Sequence, residues 1–245
     1  MKNGYVTFVN DNLNYLKLCD ILVESVINFS ENPIEVFSIN FDYKHSSEKV
    51  ISRRIDLQTV GFNTICYSKL YSSINTSFDK AVQLDADFII TKQMDKLFDL
   101  IDDNLKLPLC SLHTQDPNNQ KNIMDILGVN NKSQYYVHGT YLFSKQTKDF
   151  LKECYDFSQY CLKNNISPGN FDETILNVML WKNQTTDSWV YPYDIWYDTF
   201  INPENRFGYP ESYDLKFYSS HGCKDPEFAN QIFNKIKNDE FKHLK

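Results

Sequence analysis

The opening of the chain does most to limit its fold. Tyr5 to Val9 is a short apolar, β-branched run, and Ile34 to Ile39 is a second. Between them Leu13, Leu16, Ile21, Leu22, Val26 and Phe29 recur at roughly helical spacing. Asn10-Asp11-Asn12 supplies turn and N-cap chemistry ahead of that helix, and Asn32-Pro33 breaks it. Two strands joined by a helix are how a parallel doubly wound sheet begins, so the expected fold class is α/β. A chain of 245 residues fits one large α/β domain, 1–245, better than two small ones.

Beyond this opening the pattern is less even. Thr64 to Tyr67 reads as a third short strand, followed by a polar segment containing Lys69. Ala81 to Leu84 reads as a fourth, stopping at Asp85-Ala86-Asp87, and Phe88-Ile89-Ile90 precedes a short helix through Met94, Leu97, Phe98 and Ile101. Leu107 to Leu112 makes a further strand, and Thr114 to Gln120 a polar surface loop. Tyr135 to Phe143 alternates as one strand with Gly139 inside it. Helices are expected over Lys145 to Leu162 and Asp172 to Trp181, and an aromatic strand over Trp189 to Trp196. Leu215 to Ser219 is the last strand, and Pro226 opens a C-terminal helix reaching about Phe241.

The formal charge of −7, with no Lys/Arg block to offset it, argues against a nucleic-acid partner. An anionic nucleotide held through a divalent cation is compatible with that charge. Six cysteines are scattered without metal-ligand spacing; Cys66 and Cys110 lie in apolar runs and read as buried small hydrophobes. Free thiols in a reducing compartment are expected. Met1-Lys2-Asn3-Gly4 runs straight into a strand-like segment without an apolar signal core, and no stretch reaches the length of a membrane span. The expected location is therefore the cytoplasm, and sequons such as those at Asn28 and Asn183 read as incidental.

Three patches carry chemistry. Asp85 and Asp87 follow an apolar strand, and ligands of open α/β sheets bind beyond strand carboxyl ends. Two carboxylates one residue apart at such an edge hold a hard cation, directly or through water. His221-Gly222-Cys223-Lys224 follows another strand; its imidazole suits Mn²⁺ beside carboxylates, Gly222 permits close approach, and Lys224 suits a phosphate. Asp172 and Glu173 open a helix, either as a charge-favoured cap or as groups at a reacting centre. Tyr191, Tyr193, Trp196 and Tyr197 form an aromatic cluster that serves either packing or an acceptor-sugar platform.

Taken in order, these patches resemble the GT-A glycosyltransferases, a Rossmann-like nucleotide-diphospho-sugar transferase fold with a mixed central sheet flanked by helices. The resemblance is strongest to glycosyltransferase family eight, the glycogenin and lipopolysaccharide galactosyltransferase group. It implies that Thr7, Phe8, Asn10 and Tyr15 contact the uracil nucleotide, and that Asp85, Asp87 and His221 hold the metal, Mn²⁺ or Mg²⁺. Ala86, Gly139, Gly222 and Lys224 are donor-binding residues by the same likeness. Asp172 sits where the family has Asp followed by Gln; here Glu173 replaces that Gln. His221 to Pro226 is also compressed relative to the family's His, Gly and Lys spacing.

The implied activity is metal-dependent transfer of a sugar from a UDP-sugar to an acceptor hydroxyl, with retention of configuration. Asp172 and Glu173 are the catalytic candidates, and their carboxylates leave inversion open through deprotonation of the acceptor. The acceptor is a glycan, a protein or a small molecule, and a homodimer is compatible with the sequence. Two other readings stand beside this one. Nucleotidyl transfer to a sugar phosphate is disfavoured because Asn10-Asp11-Asn12 lacks glycine. A non-catalytic nucleotide- or sugar-binding module is disfavoured by the joint presence of Asp85, Asp87 and His221.

Overall fold

The structure, a computed structural model, describes residues 1–57, 62–90, 94–104, 107–111, 117–133, 136–137, 140–169, 171–185, 190–191, 198–200, 217–219 and 224–238. Its first half contains β1 (Asn3–Val9), α1 (Leu13–Phe29), β2 (Ile34–Ile39), β3 (Val50–Ile55), α2 (Phe62–Asn75), β4 (Lys80–Gln83), β5 (Phe88–Ile90) and β6 (Leu107–Ser111). There follow α3 (Pro117–Leu127), β7 (Tyr136–Val137), β8 (Tyr141–Ser144), α4 (Lys148–Lys163), α5 (Phe171–Asn183), β9 (Val190–Tyr191), β10 (Asp198–Phe200), β11 (Phe217–Ser219) and α6 (Pro226–Lys237). Short 3₁₀ segments cover Met94–Leu100 and Lys145–Thr147. These elements fall into two compact units.

One unit holds residues 3–56, 84–100 and 193–245. Here β1, β2 and β3 run parallel, with Tyr5 opposite Ile34 and Ile34 opposite Val50. Every residue of β2 is buried, as a central strand covered on both faces requires. Its one charged residue, Glu35, accepts a 2.6 Å bond from Arg53 Nε. Helix α1 starts where Asn12 Oδ1 takes the N–H groups of Asn14 and Tyr15. Its Leu18 and Ile21 pack with Ile89 of β5 and with Ala229, Ile232, Phe233 and Ile236 of α6. Each such burial of a Leu, Ile or Phe contributes about 1.5–3 kcal/mol. Asp225 caps α6 and Pro226 occupies its first turn. In a separate ladder β11 runs parallel to β10 and antiparallel to β5, and Ser25 Oγ accepts the Ile90 N–H at 3.1 Å.

The other unit holds residues 1–2, 57–83 and 101–192. Here β4 lies antiparallel to β8, and β6 lies antiparallel to β7 and parallel to β9. Helices α2, α4 and α5 pack on one another, and Tyr67, Leu70, Leu151, Cys154 and Leu176 on them are buried. Parallel and antiparallel ladders thus both occur, as an α/β fold with a mixed sheet requires. Among the described residues no helix is long and apolar enough to cross a membrane.

Four local expectations need correction. Thr64 to Tyr67 lies within α2, because a run of four apolar or β-branched residues does not distinguish helix from strand. The third strand is instead β3, whose exposed Ser52, Arg53 and Arg54 break the apolar pattern and belong to a sheet edge. The polar stretch before Gln120 opens α3 at Pro117. Tyr135 to Phe143 is not one strand: β7 pairs with β6, whereas β8 pairs with β4. Cys66 is half-buried rather than fully buried, and Cys19, Cys66, Cys154 and Cys161 are free thiols.

Candidate functional site

The acidic motif is fixed by its backbone. The Leu84 N–H donates to Val6 O at 2.9 Å, which seats the start of the motif against β1 one residue before Thr7. The Phe88 N–H donates to Asp85 O at 3.1 Å, closing Asp85-Ala86-Asp87 into a turn that runs into β5. Ala86 and Asp87 are buried and Asp85 is half-buried. Thr7 is fully buried, and its Oγ1 has no hydrogen-bond partner among the described residues. Phe8, Asn10 and Tyr15 are half-buried, and Asn10 Oδ1 accepts the Asn12 N–H at 3.3 Å.

Lys224 belongs to the same unit. Its Nζ donates to Tyr15 Oη at 2.7 Å and lies 5.3 Å from the ring centroid. Burial pulls its pKa down, but the Tyr15 hydroxyl and the carboxylates of Asp87 and Asp85 outweigh this and hold it above the ordinary lysine value. The ammonium thus lies in the field of both acids. Its backbone φ of +44° is in the left-handed region, a conformation that for a non-glycine residue costs about 1 kcal/mol or more and that gathers at functional positions.

In the other unit, Asp172 stands in the first turn of α5, next to Phe171 at φ +48°. Lys69 Nζ of α2 lies 3.2 Å from Asp172 Oδ2. Around them lies a buried polar group. Ser73 Oγ bonds both Gln83 Oε1, at 2.8 Å, and the Tyr141 hydroxyl, at 2.9 Å. Burial raises the Tyr141 phenol well above its ordinary range; Ser73 and Lys69 pull it back and Asp172 pushes it up. Burial likewise raises Tyr67, with Cys161, Asp172 and Cys66 adding to the shift.

The described residues therefore bring together Asp85, Asp87, Tyr15 and Lys224, close to the strand carrying Thr7 and Phe8 and to Asn10 just beyond its end. Glu173 is half-buried beside Asp172. His221, Gly222 and Gly139 lie outside the described residues, as do Tyr193, Trp196 and Tyr197 of the aromatic cluster. Ser219, two positions before His221, is aligned with Phe88, the residue after Asp87. Among the described residues no group of three or more His, Cys, Asp or Glu forms. The two carboxylates on one turn are hard oxygen donors and fit a divalent cation such as Mn²⁺ or Mg²⁺ as part of its ligand set. Lys69 is the residue that reading of the sequence missed. It falls in the polar segment expected to follow a short strand, which is instead part of α2, and its partner Asp172 is distant along the chain.

No protein-family model matches the chain, and neither does any curated protein. Comparison with solved structures is decisive for the fold. The crystal structure of galactosyltransferase LgtC, in complex with donor and acceptor sugar analogues, is similar over 96% of this chain and 95% of that one, at a TM-score of 0.58. The chain has the GT-A fold. Sequence identity to LgtC is 15%, so the likeness establishes architecture, and GT-A is the fold that the resemblance of the sequence patches implied.

Proposed function

We propose that this GT-A protein is a metal-dependent glycosyltransferase that moves a sugar from a UDP-sugar to an acceptor hydroxyl with retention of configuration. The observation that carries the reading is the turn Asp85-Ala86-Asp87, seated against β1 with its carboxylates in the electrostatic field of the Lys224 ammonium. It is supported by the shared fold with a galactosyltransferase whose crystal structure holds donor and acceptor sugar analogues. The reading takes the whole chain as one catalytic domain. Free thiols at Cys19, Cys66, Cys154 and Cys161 support a cytoplasmic, reducing location.

Asp85, Asp87 and His221 would hold Mn²⁺ or Mg²⁺, which when bound supplies Lewis-acid stabilisation of the leaving diphosphate. The other roles fall to the chain itself. Thr7, Phe8, Asn10 and Tyr15 orient the nucleotide. Lys224 binds the diphosphate as a point charge, and its bond to Tyr15 Oη keeps the amine aimed. Ala86 and Gly222 let backbone approach the donor, and Gly139 lies along the sugar. Asp172 stabilises the positive charge that develops on the sugar ring; its pairing with Lys69 suits a fixed anion better than a group that exchanges protons. Glu173 positions the donor where the family has an amide.

The test is UDP release from a panel of UDP-sugars with Mn²⁺, Mg²⁺ or EDTA, beside Asp87→Ala and His221→Ala. Release that needs metal, favours one donor and disappears in both variants supports the reading. Metal-dependent UDP binding with no release from any donor points instead to a non-catalytic binding module.

A further inference from the structure

Among the polar side chains of helix α5 that the roles above leave unused, Asn177 is bound to the backbone of a neighbouring strand. Asn177 is fully buried, one turn beyond Glu173. Its Oδ1 accepts the Val137 N–H at 2.9 Å, and its Nδ2 donates to Val137 O at 2.9 Å. The second Nδ2 proton goes to Glu173 O at 2.8 Å. A carboxamide has two donors and an acceptor to offer, and all three kinds of bond are made here in the one amide orientation that permits them. Val137 is buried on the two-residue strand β7, so Asn177 does for it what a neighbouring strand would.

This arrangement does more than satisfy a buried amide. Helix α5 is held at two points: at Asp172 by Lys69, and at Asn177 by the backbone of β7. The bond from Nδ2 to Glu173 O joins the second anchor to the turn that bears Asp172 and Glu173. We propose that Asn177 is a positioning residue for the transfer reaction, setting the height and rotation of the α5 first turn and so the placement of the Asp172 carboxylate. This rests on the reading of Asp172 given above. A shift of a reacting group by about 1 Å costs about a hundredfold in rate, so a helix that settles differently on β7 registers in turnover before it registers in nucleotide binding.

The experiment compares wild type with Asn177→Ser, Asn177→Asp and Leu151→Ala. Asn177→Asp keeps the acceptor and the shape but loses both donor bonds. Leu151→Ala creates a core defect in α4, takes no part in the three Asn177 bonds, and controls for loss of stability alone. Three quantities are read: kcat with the preferred UDP-sugar at saturation, UDP affinity, and hydrogen exchange at the Val137 amide. The expected result is a kcat lowered about a hundredfold in both Asn177 variants, unchanged UDP affinity, and faster Val137 exchange. Leu151→Ala should retain wild-type kcat per folded molecule. Wild-type kcat in either folded Asn177 variant, or an equal loss in Leu151→Ala, would overturn the positioning role. A wild type without turnover on any donor would instead overturn the transferase reading, while Val137 exchange would still test the clip.

Discussion

Lys69 and Asp172 form an ion pair in the interior of one unit, Nζ to Oδ2 3.2 Å apart, with side-chain exposures of 8% and 12%. A pair so far from water does not behave like a surface salt bridge. Each charge has lost its hydration, and each depends on the other and on nearby polar groups such as the Tyr141 hydroxyl for compensation.

Removing either partner alone leaves a buried charge exposed to the apolar interior. Lys69→Met or Asp172→Asn should each destabilise the fold by about 3–5 kcal/mol. The double variant Lys69→Met/Asp172→Asn should cost clearly less than the sum of the two. Urea unfolding of the four proteins measures this coupling, and strictly additive losses would contradict an interdependent pair.

That pair also marks where sequence reading stops. Strands β1 and β2 were legible because Tyr5 to Val9 and Ile34 to Ile39 are continuous apolar runs, closed off by Asn12 as an N-cap and by Pro33. Strand β3 was not, because it lies at the sheet edge with Ser52, Arg53 and Arg54 exposed in succession, which leaves neither an apolar run nor a period-two alternation to read. Helix α3 hid behind Asn118, Asn119 and Asn122, weak helix formers, although Pro117 at its start and Gly128 at φ +68° after its end were signals of the right kind. Asp85 and Asp87 could be found because two acids after an apolar strand form a local pattern. Lys69 could not, since its meaning comes from Asp172, and only the packing of α2 on α5 brings the two together.

Lys224 makes a second, separable claim. A point charge on the diphosphate should matter to UDP and not to uridine. Lys224→Met should weaken metal-dependent UDP binding about tenfold, a typical loss for a hydrogen bond to a charged group, and leave uridine binding unchanged. Tyr15→Phe, which removes the 2.7 Å bond to Nζ, should give a smaller loss in the same direction. Titration calorimetry with both ligands decides it, and an equal loss for uridine would place Lys224 elsewhere.

The buried thiols set an alkaline limit on stability. Burial raises Cys19 and Cys154 well above the ordinary thiol value and pushes Cys161 up from 9.0 to about 11. These folded values lie above the unfolded ones. Their contribution is therefore complete below the ordinary thiol pKa and is lost as pH rises through the folded values. Under reducing conditions the urea midpoint should hold steady up to about pH 9 and fall above it, with a shallower fall in Cys154→Ala. A midpoint independent of pH over that range would contradict the burial of these groups.

Accessibility gives a check on the same residues at neutral pH. Cys66 is half-buried, whereas Cys19, Cys154 and Cys161 are buried. Brief treatment of the native protein with a thiol reagent, followed by peptide mass spectrometry, should modify Cys66 ahead of those three. Modification of Cys154 first would contradict the packing of α4.

The central claim is that Asp85 and Asp87 hold a divalent cation against a nucleotide diphosphate, and equilibrium UDP binding tests it most directly. Calorimetry would compare wild type and Asp87→Asn, each with Mn²⁺ and with EDTA. The predicted result is UDP binding by wild type that requires Mn²⁺ and weakens at least about tenfold in Asp87→Asn, since even outer-shell changes at metal sites cost that much. UDP binding of equal strength in EDTA, or unaltered by Asp87→Asn, would contradict it.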